Sequence, residues 1–129
     1  MFDMTSFGKI RVEGRDACAY LQRLCANQMD VENGKIVYTQ MLNERGGIES
    51  DLTVTRLSNT AYLLVVPGGT LQRDLAWLRR NLDDEFVVIT DVTASEAVFV
   101  IMGPKSRELM QNVSPNDFSN ENHYTAKTT

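Results

Sequence analysis

The sequence predicts an α+β fold, helices packed on an antiparallel or mixed sheet, and three observations lead there. Two β-like runs, 35–42 and 48–57, are separated only by Asn43-Glu44-Arg45-Gly46-Gly47, a hairpin loop by length and composition. A third run, Ala61–Val66, follows a short turn at Ser58-Asn59, so these strands succeed one another without a helix. The full order reads β-α-β-β-β-α-β-β-α, which lacks the strict strand–helix alternation of a doubly wound parallel sheet.

Each element has its own signal. Lys9–Glu13 alternates polar residues with Ile10 and Val12. Gly14 interrupts it, and a helix is predicted through about Ala26 with Ala17, Tyr20, Leu21, Leu24 and Cys25 on one face. Asn33-Gly34 marks a turn, and the glycines of NERGG supply positive φ at low cost. Pro67-Gly68-Gly69 ends the third strand. Thr70 is the expected N-cap of a helix through Leu82, whose apolar face carries Leu71, Leu75, Leu78 and Leu82 with Trp77 beside them. Phe86–Val92 and Glu96–Met102 read as further strands, and Gly103-Pro104 opens a helix through about Val113. Tyr20, Trp77 and Phe99 fall at core spacings. From Ser114 the chain turns polar, with a short helical turn expected at Asp117–Asn120 before a frayed end. The organisation is one domain portion over 1–113 and a polar tail over 114–129.

Composition narrows the function classes. The 129 residues are 43% hydrophobic and 23% charged, values of an ordinary soluble globular unit. The net charge of -4, without a basic stripe, argues against nucleic acid as a partner. Apolar runs such as AYLLVV are too short to cross a bilayer. MFDMTSF lacks the features of an export signal, which places the protein in the cytoplasm, or the mitochondrial matrix in a eukaryote, and not outside the cell. Cys18 and Cys25 lie in a helical pattern roughly 10 Å apart along the axis, too far for a disulfide, and read as buried apolar side chains. No metal site is expected, since His123 lies in the polar tail remote from both cysteines.

Chemistry concentrates on the second run of the hairpin. Asp51, Thr53 and Thr55 project to one face while Leu52 and Val54 project to the other. Tyr38 joins the polar face if the register allows, giving a carboxylate and a phenol suited to an aromatic, amine-bearing ligand. The plainer reading is a solvated strand face with Asp51 capping the turn, and local pattern alone favours it. No phosphate loop or catalytic triad is present, and Asp83-Asp84-Glu85 reads as a solvated loop.

Longer phrases add to the pattern. KIVYTQMLNERGGIESDLTVTRL, VVPGGTLQRDLAWLRR and TDVTASEAVFVIMGPKSRELMQ, in that order, resemble the folate-binding domain of the glycine-cleavage T-protein (aminomethyltransferase) family. FDMTSFGKIRVEGRDACAYLQRL, YTQMLNERGG and GPKSRELMQ are most similar to the C-terminal region of flavin-dependent dimethylglycine and sarcosine dehydrogenases. The resemblance implies the T-protein fold, N-terminal part only, and a tetrahydrofolate site. It places Asp51 on the family's key acidic position beside the folate N10 nitrogen, as catalytic residue, and Tyr38 and Thr55 on positions lining the pterin pocket. The family's N-A-A-N type loop is here Pro67-Gly68-Gly69-Thr70, so only Thr70 is left to replace one of its hydrogen bonds.

The implied chemistry is capture of a one-carbon unit, derived from an N-methyl amine, as 5,10-methylene-tetrahydrofolate. A free-standing glycine-cleavage aminomethyltransferase and a non-catalytic folate-binding or interaction module are the alternatives. FAD would sit on a domain absent from this chain, which has no dinucleotide fingerprint. The chain is thus expected to be a fragment that binds folate weakly or not at all and is inactive alone. A sheet edge exposed by truncation would invite self-association.

Overall fold

The computed structural model describes residues 1–118. Its centre is a five-stranded sheet of β2 (Gly8–Glu13), β3 (Ile36–Leu42), β4 (Ile48–Ser58), β5 (Ala61–Val66) and β6 (Val88–Asp91), in the order β3-β4-β5-β2-β6. Every pairing is antiparallel, and the short turns impose this on β3–β4 and β4–β5. Helices α1 (Ala17–Leu24) and α2 (Leu71–Arg80) cover one face. A two-stranded ribbon of β1 (Phe2–Asp3) and β7 (Phe99–Val100) lies apart from the main sheet, and α3 (Ser106–Val113) closes the described chain.

Alternation along the strands decides which face carries the core. Ile10 and Val12 of β2, Val37 and Met41 of β3, Leu52 and Val54 of β4, and Tyr62, Leu64 and Val66 of β5 are all buried in one cluster. Tyr20 and Leu21 of α1 and Leu75 and Leu78 of α2 complete it from the helical side. A one-residue slip of any strand would turn its apolar set to solvent, so the helical layer fixes the register. The Tyr20 hydroxyl donates to the Leu78 carbonyl at 2.6 Å and ties the two helices together. The opposite face is closed only at β2. There the Lys9 ammonium is buried and donates to the Thr5 carbonyl at 2.8 Å, while its backbone N–H donates to Thr93 Oγ1 at 3.0 Å. The β3–β4–β5 part of that face stays open.

Several boundaries differ from the sequence expectation for identifiable reasons. Helix α1 stops at Leu24 rather than near Ala26, because Cys25 turns extended and forms a bridge with Met41. Helix α2 ends at Arg80 rather than Leu82. Thr70 is its N-cap residue but makes no side-chain cap; a 3-10 turn at Gly68–Thr70 precedes it, and the Thr70 hydroxyl donates to Asp74 Oδ2 at 2.7 Å. The two late strands shrink to β6 and β7, and β1 was not legible at all in two residues. Phe99 is 59% exposed, not a core residue, since it lies in the separate β1–β7 ribbon and not in the main sheet. The turn expected at 117–120 is not helical at Asp117 and Phe118, and its remainder lies outside the described residues. No described helix is long and apolar enough to cross a membrane.

Both cysteines are free; Cys25 is buried and Cys18 half-buried. Burial pushes the Cys25 thiol up to about 12 from an ordinary value of 9.0. Because the folded state holds the proton more tightly, this contribution to stability is complete below pH 9.0 and is lost as pH rises toward about 12. Iodoacetamide at pH 8.5 is therefore expected to label Cys25 only after unfolding and Cys18 more readily in the native state, read by mass spectrometry.

Candidate functional site

The β3–β4 hairpin builds the open face. Asn43 fixes its turn: Asn43 Oδ1 accepts from the Arg45 and Gly47 backbone N–H groups at 3.0 and 2.9 Å, and Asn43 Nδ2 donates to Glu49 Oε1 at 2.8 Å. Gly46 supplies the positive φ, at 76°. Turn capping therefore belongs to Asn43 and not to Asp51, which lies on the exposed face of the strand.

A register shift then aims Asp51. The hairpin closes on Leu42 opposite Ile48, but the next pair is Met41 opposite Ser50, leaving Glu49 as an extra residue. Without this bulge Asp51 would face Thr39 and share the core side of β3. With it, Gln40 lies opposite Asp51, Tyr38 opposite Thr53, and Ile36 opposite Thr55. Ser50, Leu52 and Val54 point inward, and the polar residues of both strands meet on one face.

On that face Asp51 is exposed and accepts from Gln40 Nε2 at 3.1 Å. The Tyr38 ring is 60% exposed. Its phenol is held above its ordinary value first by hydrogen bonding with the Asp51 carboxylate, then by desolvation and by the charge of Asp51. Thr53 sits between the two, and the next strand brings half-buried Val65 beside Thr53 and Leu63 beside Thr55. The patch thus offers one carboxylate with two neutral donors, a phenol ring and an apolar border.

The remaining residues singled out by sequence fall differently. Thr55 shares the face, is 6% exposed, and lies about 13 Å along the strand from Asp51. Thr70 approaches from the other edge. Continuing the β4–β5 register past Thr53–Val65 sets Pro67 opposite Asp51, where the ladder ends because proline has no N–H. The Arg73 guanidinium donates to the Glu49 carbonyl and docks the start of α2 on the start of β4. Asp74, 1% exposed, holds the Thr70 hydroxyl, so Thr70 anchors the loop bordering Asp51. The structure brings together Asp51, Thr53 and Tyr38, which the sequence already placed on one polar face, and adds Gln40 opposite Asp51. The spacing of Gln40 from the loop could have marked it only with the bulge known. Among the described residues no group of three or more His, Cys, Asp or Glu side chains is placed to hold a metal.

Comparison with known proteins agrees with this architecture. Residues 1–129 match the family model described as the GCVT N-terminal domain, and the chain belongs to that family. It is 43% identical over 121 residues to 4-methylaminobutanoate oxidase (formaldehyde-forming) of Paenarthrobacter nicotinovorans, covering 94% of this chain and 15% of that protein. It is 36% identical over 120 residues to an aminomethyltransferase of Caldanaerobacter subterraneus subsp. tengcongensis, covering 92% of this chain and 32% of that one. The crystal structure of glycine cleavage system aminomethyltransferase T from Bartonella henselae superposes with a TM-score of 0.74 at 25% identity, over 86% of this chain and 30% of that one. The fold is that of the T-protein, and the relatives are enzymes. The chain spans about a third of the aminomethyltransferases and a smaller part of the oxidase.

Proposed function

We propose that this chain supplies one wall of a tetrahydrofolate site and acts in folate-dependent one-carbon transfer, with Asp51 as its catalytic residue. The observation that carries the reading is the bulged register that gathers Asp51, Gln40, Tyr38 and Thr53 on an open face. These residues suit half of such a ligand. A flat ring fits against Tyr38 and the Val65 border, and an amine-bearing edge meets the Asp51 carboxylate. Folate supplies the nucleophilic amines that take up the one-carbon unit. Asp51 accepts the proton they release and opposes the positive charge that develops, while Gln40 and Tyr38 hold its carboxylate in place. Among the described residues, the anionic tail of folate finds no unpaired cation on this face. Arg11 is paired with Glu13 and Glu96, and Lys9 with the Thr5 carbonyl.

The identity to an amine oxidase favours a parent enzyme that oxidises an N-methyl amine on a flavin and passes the carbon to folate; the aminomethyltransferases support the second reading, transfer from a carrier-bound aminomethyl group. The test is calorimetric titration with tetrahydrofolate of a chimera in which this chain replaces the matching segment of the Caldanaerobacter aminomethyltransferase. Saturable heat is expected. A chimera that folds and gives none would overturn the proposal.

A further inference from the structure

Away from the Asp51 face, the ends of α1 and α2 and the tip of the β3–β4 hairpin border an open, shallow cleft of roughly 730 Å³. Three arginines line it, Arg23, Arg45 and Arg80, against one acidic residue, Glu44. In a chain of net charge -4 that local excess of cation needs a reason. Helix dipoles supply part of one, since Arg23 and Arg80 lie in the last turns of α1 and α2. Arg23 is also committed to Glu85 and to the Asn81 carbonyl.

The other two are not accounted for in this way. Arg45 stands at a hairpin tip and ends no helix, and among the described residues neither its guanidinium nor that of Arg80 has an acceptor. The Arg80 guanidinium lies 4.7 Å over the Trp77 ring, which forms part of the same wall. The Trp77 indole N–H is buried, with no acceptor among the described residues, so it is the ring rather than this N–H that borders the cleft. Leu24 and Leu42 give the cleft an apolar lining beside Arg45 and Arg80.

We infer that this cleft binds a small organic carboxylate, its anionic group held by Arg45 and Arg80 and its carbon body against Trp77, Leu24 and Leu42. Two planar guanidinium forks suit the flat carboxylate, and the apolar lining selects an organic anion over an inorganic one. The site is independent of Asp51, which projects from the other face of the sheet.

Trp77 is the chain's single tryptophan, so its fluorescence reports on this cleft. Titration with benzoate at constant ionic strength is expected to give a saturable change. Inorganic phosphate is expected to bind at least several-fold more weakly. Arg45→Gln is expected to weaken benzoate binding about tenfold, and Arg45→Lys to restore it only in part. Because Arg80→Gln alters the indole's surroundings directly, its expected tenfold loss is read by calorimetry instead. A response that does not saturate, that Arg45→Gln leaves unchanged, or that phosphate matches would overturn the inference.

Discussion

Asp51→Asn, in the aminomethyltransferase chimera, is expected to retain tetrahydrofolate binding within about threefold while one-carbon transfer falls by about 10²–10⁴-fold. The split follows from the geometry. Asparagine keeps the size of the side chain and an oxygen for the Gln40 amide, which donates to Asp51 Oδ1 at 3.1 Å, so the patch keeps its shape. It removes the charge and the proton acceptor, which matter only as the folate nitrogen loses its proton and positive charge develops. Binding lost in step with transfer would make Asp51 a ligand anchor only. Unchanged transfer would remove it from the chemistry.

Gly14→Ala is expected to be the most damaging small substitution in the scaffold, by about 4 kcal/mol, combining positive-φ strain with overpacking. Gly14 has φ 149°, and a Cβ there would lie 2.0 Å from the Phe86 carbonyl oxygen and 2.9 Å from its carbon. Both atoms are backbone. That segment cannot easily retreat, because the Phe86 N–H donates to Asp16 Oδ2 at 2.7 Å and the Gly14 N–H donates to the Thr60 carbonyl at 2.9 Å. Thermal denaturation should show a loss on the order of 15 °C for a domain of this size. Gly69→Ala is the control: its Cβ would meet nothing within 4 Å, and little change is expected. A Gly14→Ala loss no larger than that of the control would contradict the packing described at this corner.

The uneven legibility of this fold has physical causes. β3, β4, β5 and α2 were readable because each buries one face over enough residues for its period to show. β7 was overextended because its neighbour is only β1, so the apolar residues around Phe99 are not half-buried in alternation. At the site, the residue types of Asp51 and Tyr38 were legible, and their meeting was not. It depends on the Glu49 bulge, and one extra residue leaves no mark in a sequence while deciding which side of the sheet a whole strand presents. The capping role of Asn43 was hidden for a similar reason, since asparagine and aspartate both satisfy turns. The arginine cleft could not be read at all: its parts come from the end of α1, the hairpin tip and the end of α2.

A folate role for Asp51 requires that the face carrying it meet a reduced folate. Its most direct test is a ¹H–¹⁵N correlation spectrum of this chain, titrated to millimolar concentration with 5-formyl-tetrahydrofolate, a stable reduced folate. Weak, saturable shifts centred on the backbone amides of Tyr38, Gln40, Asp51 and Thr53, and on the Gln40 side-chain amide, are the predicted result. Shifts confined to other surfaces, or a spectrum unchanged at the highest concentration, would contradict it.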